Sequence, residues 1–268
     1  MSSIRVSQLN IYPVKSTRGL SLSDLCIGPL GPHMDRRWMI IDADNGHFIT
    51  QREHSRLCLV GATLSGTALT LTAPTLDPLL VSQQKSHSDS SRQVKIWQDW
   101  VEAFDCGDQA AQWLSSFLKT SVRLVFMADD CHRLVDQNFS QQSECVSFAD
   151  GFPILLISES SLEDFNQHID SPIHMNRFRP NIVVSGCAAY AEDHWQTIQI
   201  GLLSFELVKP CSRCVIPSID PQTANKQVEI SKALAKHRRR DGAVYFGQNL
   251  VANEQGIISV GDQVTVLA

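Results

Sequence analysis

The segment Lys209-Pro210-Cys211-Ser212-Arg213-Cys214 places two thiols three positions apart, with Arg213 between them and Lys209 just upstream. Neighbouring cations favour the thiolate form, which is both a nucleophile and a soft-metal ligand. A structural zinc site wants four ligands, and the nearest later histidine, His237, stands alone. A thioredoxin-type pair wants a helix start, whereas Val215-Ile216-Pro217 reads as extended chain. Spacing by itself leaves three readings open: a metal-ligating thiolate, a dithiol exchange pair, or two buried thiols without chemistry.

Three further clusters join cations to polar groups at expected strand ends. Tyr12-Pro13-Val14-Lys15-Ser16 carries an ammonium and a hydroxyl on one turn. Asp35-Arg36-Arg37-Trp38 offers two arginines, one expected to be buried against an anion and the other at the surface. Arg177-Phe178-Arg179-Pro180-Asn181 adds arginines and an amide. Guanidinium forks match phosphate geometry, so convergence of these clusters would hold one polyanionic ligand. The Ala149-Asp150-Gly151-Phe152-Pro153 turn can present backbone amides to an anion. Glu192-Asp193-His194 reads as a solvated loop, and there is neither a phosphate-binding glycine fingerprint nor a nucleophile elbow.

The elements that must position these groups read mostly as strands. Val6–Tyr12, Trp38–Ile41 and Leu69–Leu71 are short runs separated by turn signals such as Asn45-Gly46 and Ser65-Gly66. This spacing predicts antiparallel, barrel-like architecture. A helix is expected over about Asp108–Lys119, where Ala110, Trp113, Leu114, Phe117 and Leu118 make a 3.6-residue stripe. A second is expected from Ser160, with Glu163 completing a capping box. Ahead of it the chain predicts a strand at Ile154–Ile157, and beyond it a strand at Ile182–Val184 and a hairpin over Thr197–Val208. After the thiol loop come an irregular charged segment and closing strands at Ala243–Phe246 and Gln263–Leu267. The polar stretch Ser82–Gln93 reads as a mobile loop. At 268 residues two cores are expected, with domains over 1–125 and 126–268.

Composition narrows the partners. A net charge of −5 disfavours a nucleic-acid backbone. No run approaches the roughly 18 apolar residues of a membrane helix, so a cytoplasmic protein is expected. The other six cysteines, Cys26, Cys58, Cys106, Cys131, Cys145 and Cys187, are scattered, as small buried hydrophobes would be.

Taken together, Tyr12–Ser16, Asp35-Arg36, Phe178–Gly186, the Cys211–Cys214 loop with Asp220-Pro221, and Phe246–Asn249 resemble the MOSC-domain molybdenum proteins. The resemblance spans nearly the whole chain and is strongest to the YcbX-like members, relatives of the mitochondrial amidoxime-reducing component. It implies a mainly β, α+β fold: an N-terminal β-barrel domain followed by a MOSC β-barrel domain with a few helices. It implies a molybdenum cofactor, with Cys214 as the metal ligand and Cys211 as its non-coordinating neighbour. Residue by residue, Lys15, Ser16, Arg36, Arg179, Asn181 and Ser212 fall where the family grips the pterin and its phosphate. Asp150 and the Gly151-Phe152 amides fall beside the site, Asp150 being placed to orient substrate or solvent.

The activity so implied is reductive removal of oxygen from small N-hydroxylated compounds such as hydroxylamines, amidoximes and N-hydroxylated bases. The alternative is a sulfur or cofactor carrier using a cysteine persulfide. Two departures bear on substrate choice: Ile216-Pro217-Ser218 stands where relatives often have paired threonines, and Ala224 where a turn glycine is common. No cysteine set follows the C-x₄-C-x₂-C spacing of a plant-type iron–sulfur site, so electrons are expected from a separate flavoprotein or ferredoxin-type donor.

Overall fold

The strand at Trp38–Asp42 shows how the core is divided. Its side chains alternate, Trp38 and Ile40 entering one apolar cluster while Met39 and Ile41 enter another. Ile154–Ser158 repeats the device, with Ile154 and Leu156 on one side and Leu155 and Ile157 on the other. A strand buried on both faces reads as an unbroken apolar run, which is why both were visible in the sequence. Each such side chain contributes roughly 1.5–3 kcal/mol of burial.

These strands belong to a computed structural model that describes residues 3–66, 68–82, 91–127, 130, 132–139 and 144–268. The first half supplies β1 (Arg5–Ile11), β2 (Leu20–Leu22), β3 (Asp24–Gly28), β4 (Gly31–Pro32), β5 (Trp38–Asp42), β6 (Gly61–Ser65), β7 (Ala68–Ala73), β8 (Leu76–Ser82), β9 (Ser91–Ile96), β10 (Asp99–Asp105), helix α1 (Asp108–Leu118) and β11 (Val122–Phe126). The second half supplies β12 (Ile154–Ser158), α2 (Glu159–Asn166), β13 (Ile182–Ser185), β14 (Thr197–Ile200), β15 (Leu203–Ser212), α3 (Val228–Arg238), β16 (Arg239–Arg240), β17 (Ala243–Ala252), β18 (Gly256–Ser259) and β19 (Val264–Val266).

The largest sheet runs β19-β14-β15-β17-β12-β13-β1-β2, with β16 beside β17. Only β12 and β13 pair in parallel, joined through α2; the other pairings along this sheet are antiparallel. Its composition crosses the chain: β1 and β2 lie at its end beside β13, and β3 pairs with β18. The smaller sheets are β5-β11-β10-β9, β18-β3-β4 and β6-β7-β8. Among the described residues the result is a sheet-rich α+β fold without a closed barrel, so barrel-like is correct in content and not in closure.

Helix α1 buries Ala110, Ala111, Leu114, Phe117 and Leu118 and ends where Lys119 turns left-handed at φ 60°. The second helix starts two residues earlier than expected: the Ser158 hydroxyl accepts from the Ser161 amide, so Ser158 is the N-cap and Ser160 lies inside. Ser160 donates its hydroxyl to the Cys187 carbonyl instead. The irregular charged segment expected after the thiol loop contains α3, whose apolar side is narrow, only Ile230 and Leu234 being buried. Most of the polar stretch 82–93, expected as a mobile loop, lies outside the described residues. No helix among the described residues is long and apolar enough to cross a membrane.

Candidate functional site

The sheet delivers the sequence clusters to one place. Lys15 and Ser16 follow β1, Arg36 precedes β5, Arg179 and Asn181 precede β13, and the thiol loop leaves the end of β15. They surround a cavity of about 270 Å³. All ten expected site residues line it: Lys15, Ser16, Arg36, Asp150, Gly151, Phe152, Arg179, Asn181, Ser212 and Cys214. Sequence reasoning did not single out Thr50, Arg52 and Trp97, which line the same cavity and sit in turns that carried no chemical signal.

Four of the lining residues have left-handed backbones although none is glycine: Ser16 at φ 66°, Arg36 at φ 47°, Trp97 at φ 54° and Arg179 at φ 59°. Such conformations cost of order 1–3 kcal/mol each and persist where surrounding structure over-determines them. Here it does. The Gln51 side-chain amide donates to the Ser16 carbonyl at 2.6 Å. Arg36 pairs with Asp35 and donates to Asn181 Oδ1 at 3.1 Å and to the Arg179 carbonyl at 3.3 Å. Arg179 donates to the Thr17 carbonyl. The two guanidinium groups lie 4.3 and 4.2 Å from the Tyr12 ring centroid, and the Tyr12 hydroxyl donates to the Pro180 carbonyl at 3.1 Å.

The Asp35-Arg36-Arg37 cluster differs from expectation. Arg37 is the more buried arginine, donating to the Met127 carbonyl at 2.5 Å over the Phe126 ring, and neither arginine is a surface group. Asn181 is engaged within the protein on both sides of its amide: its oxygen accepts from Arg36 and from the Leu155 amide, and its nitrogen donates to the Asn10 carbonyl. It holds Arg36 in place.

Lys15 is buried and donates to the Phe148 carbonyl at 2.8 Å and to Asp150 at 2.5 Å. Burial lowers its pKa to about 8 against the pull of Asp150. For Asp150, burial acts upward, but the charge and hydrogen bond of Lys15 outweigh it and hold the carboxyl below the usual carboxylate range. Its side chain is 66% exposed, so this carboxylate stands at the cavity rim. Buried Arg133 shapes the turn beneath by donating to the carbonyls of Ser147, Ala149 and Asp150.

The thiols are unequal. Cys214 is exposed at the rim, whereas Cys211 is half-buried against an apolar cluster containing Phe178 and Phe246, and burial pushes its thiol up. Residues 216–218 form a 3-10 turn, correcting the expected extended continuation. Ala224 takes φ 62°, a left-handed conformation that a glycine would adopt without strain. Beneath the loop Phe178 stacks on Phe246 at 4.2 Å, and Arg213 donates to the carbonyls of both residues. Gly247 is required here, because at φ 80° an added Cβ would sit 2.7 Å from the Leu156 carbonyl oxygen.

Glu192 and Asp193 are not a solvated loop. Glu192 is buried and accepts from the Ser158 amide and the Ser161 hydroxyl, while Asp193 pairs with Arg238 at 2.5 Å. Both serve the fold behind α2 and α3.

The charge count of the cavity is lopsided. Lys15, Arg36, Arg52, Arg177, Arg179 and Arg213 line it against the single carboxylate Asp150. Arg36 and Arg177 have carboxylate partners outside the lining, Asp35 and Asp220. Arg52, Arg179 and Arg213 form no ion pair among the described residues, and Arg213 Nη2 is buried without a hydrogen-bond partner. In a chain of net charge −5 this local excess calls for a polyanion. Among the described residues no three of His, Cys, Asp and Glu converge to hold a metal ion. A metal at Cys214 would therefore take its further ligands from a bound group.

Comparison with known proteins fits this geometry. Residues 3–121 match the MOSC N-terminal beta barrel domain and residues 144–265 the MOSC domain. The chain is 36% identical to the mitochondrial amidoxime-reducing component 1 of Mus musculus and 34% identical to that of Homo sapiens, over 98% of this chain and 82% of each relative. It is 32% identical to the mitochondrial amidoxime reducing component 2 of Bos taurus, over 97% of this chain and 82% of that one. The arginine-lined cavity with its exposed thiol is thus set within a protein that belongs to the MOSC-domain family, with the MOSC N-terminal and MOSC domains in tandem.

Proposed function

We propose that this chain is a molybdenum-cofactor-dependent oxidoreductase that removes oxygen from small N-hydroxylated compounds. One observation carries the reading: a single cavity places Arg179 and Arg213, two arginines lacking carboxylate partners, together with one exposed thiol. That donor set fits a phosphorylated pterin bearing a metal. Relatives sharing about a third of the sequence are named amidoxime-reducing components, which supports the substrate class.

When bound, the cofactor supplies a two-electron metal centre for breaking an N–O bond. This chain's residues do the rest. Lys15, Arg36, Arg179 and Arg213 hold the anionic part of the cofactor, Ser16, Ser212 and the Gly151-Phe152 amides contribute hydrogen bonds, and Asn181 keeps Arg36 aligned. Cys214 supplies the protein thiolate to the metal, and Cys211 stays a neighbour without coordination. Asp150 at the rim orients substrate or solvent beside Lys15. In the overall reaction the N–O bond breaks, a nitrogen–hydrogen bond replaces it, and the oxygen leaves as water. Two protons are consumed, and two electrons come from a separate flavoprotein or ferredoxin-type donor. Residues 1–125 act as one domain and 126–268 as the other, with β1 to β4 the contribution of the first to the sheets of the second.

The test is metal analysis with pterin quantification on protein from a cofactor-competent host, followed by reduction of an amidoxime with a chemical electron source. One molybdenum and one pterin per chain with turnover are expected. Protein without molybdenum but with cyanolysable sulfur on Cys214 would replace this reading with that of a sulfur carrier.

A further inference from the structure

The wall of the cavity contributed by the first half of the chain contains a pair that the cofactor grip does not use. Trp97 occupies the tip between β9 and β10 with φ 54°, an outlier for a bulky aromatic residue. It is held there by the edge of Phe48, ring centroids 4.9 Å apart, and by the Arg52 guanidinium 4.7 Å from its centroid. Its indole N–H is buried and has no hydrogen-bond partner. A buried donor left unmade costs about 1–3 kcal/mol, which a ligand oxygen recovers. Arg52 forms no ion pair among the described residues, and its backbone carbonyl accepts from Lys226 at 3.2 Å, tying this turn to the chain that follows the thiol loop. Both side chains are half-buried, unlike the enclosed Lys15, so they stand where a guest arrives.

We propose that Arg52 and Trp97 form the substrate-side subsite and select planar aromatic N-hydroxylated compounds that carry a carboxylate. Arg52 pairs with the carboxylate, the Trp97 ring packs against the aromatic plane, and the indole N–H donates to a substrate oxygen. The inference rests on the reductase reading, and the subsite borders the cofactor grip, the Lys15 ammonium lying 5.9 Å from the Trp97 ring centroid. It assigns to the substrate a strained aromatic residue and an unpaired cation that otherwise have no task.

The experiment compares benzamidoxime with 4-carboxybenzamidoxime as substrates of the cofactor-loaded enzyme, and benzamidine with 4-carboxybenzamidine as ligands by calorimetry. Molybdenum content is measured in every variant. Wild type is expected to have at least a tenfold lower KM and Kd for the carboxylated member of each pair. Arg52→Gln should erase that preference with kcat nearly unchanged, and Trp97→Phe should raise KM for both substrates severalfold, with molybdenum content at the wild-type level. Equal affinity for the paired compounds in wild type overturns the proposal. Loss of molybdenum in either variant also overturns it, because the residue then belongs to the cofactor grip. If no amidoxime is reduced, the reductase reading fails, and the calorimetric pair still decides whether Arg52 and Trp97 select a carboxylated aromatic ligand.

Discussion

On the inner wall of the cavity, Arg36 and Arg179 rest on Tyr12, and both have left-handed backbones; Arg36 is tied to oxygens of Asp35, Asn181 and Arg179, and Arg179 to the Thr17 carbonyl. At the rim, Cys214 and Ser212 are exposed, Asp150 is mostly exposed, and a single lysine anchors that carboxylate. The inner wall is over-determined: its charges are desolvated, oriented in advance and unable to relax toward water. The rim is lightly held. Under the proposed function this contrast is that between a seat for a resident group and an opening for a visiting one, because preorganised charge binds without further ordering cost whereas turnover needs release.

The contrast can be broken most directly at the thiols. Cys214→Ser should lower turnover of an amidoxime by at least about a hundredfold, since even partners outside the coordination shell typically matter ten- to a hundredfold. Cys211→Ser should retain much of the activity. Steady-state kinetics per bound molybdenum checks this, and equal loss in two folded variants would remove the distinction between the cysteines.

Next in size is Arg179→Ala, which should weaken cofactor retention about ten- to a hundredfold, the value of one or two charge-assisted hydrogen bonds. Its readout is molybdenum and pterin per chain after dialysis. Full occupancy with lost activity would move Arg179 from the inner wall to the substrate side.

A smaller effect is expected from pH. Burial lowers Lys15 from 10.5 to about 8, so its charge is present below pH 7 and is lost as pH rises through 8. Affinity of cofactor-free protein for inorganic phosphate should fall roughly five- to tenfold between pH 7 and pH 9. Lys15 has the opposite sign in stability. Between pH 8 and 10.5 its unfolded form binds more protons than the folded one, so its contribution to unfolding free energy rises with pH in that window. Phosphate titrations by calorimetry test the first statement and denaturant melts the second; Lys15→Met should flatten both.

The smallest expected change is that of Tyr12→Phe, which keeps the ring under both arginines and deletes the hydroxyl bond to Pro180. It should cost about 1 kcal/mol in denaturant unfolding and leave turnover per bound molybdenum unchanged. A change in turnover would show that inner wall and rim are mechanically coupled.

The parts of this arrangement that were legible in sequence are those carried by local pattern. The doubly buried β5 and β12 appear as apolar runs, and α1 as a five-residue stripe. Helix α3 was hidden because it buries only Ile230 and Leu234 between charged neighbours. The Ser158 cap was hidden by the nearby Ser160, which has the same chemistry. The cations were legible by type, but their strained backbones were not, because Ser16, Arg36 and Arg179 carry no glycine or asparagine signal. Arg52 and Trp97 were passed over because a turn residue acquires chemical meaning only once tertiary contacts face it toward a cavity.

The placement of β1 beside β13 also governs how this protein is made. Arg5 pairs with Ser185 and Leu9 with Ile182. At about 5–20 residues per second, a ribosome takes roughly 10–35 s to deliver the partner of β1 after β1 itself emerges. Throughout that interval β1 has only the short β2 to pair with, and the core that covers Val6, Leu9 and Ile11 is incomplete because Ile182 and Val184 are missing. The late arrival of β13 therefore leaves β1 dependent on shielding while the nascent chain is completed.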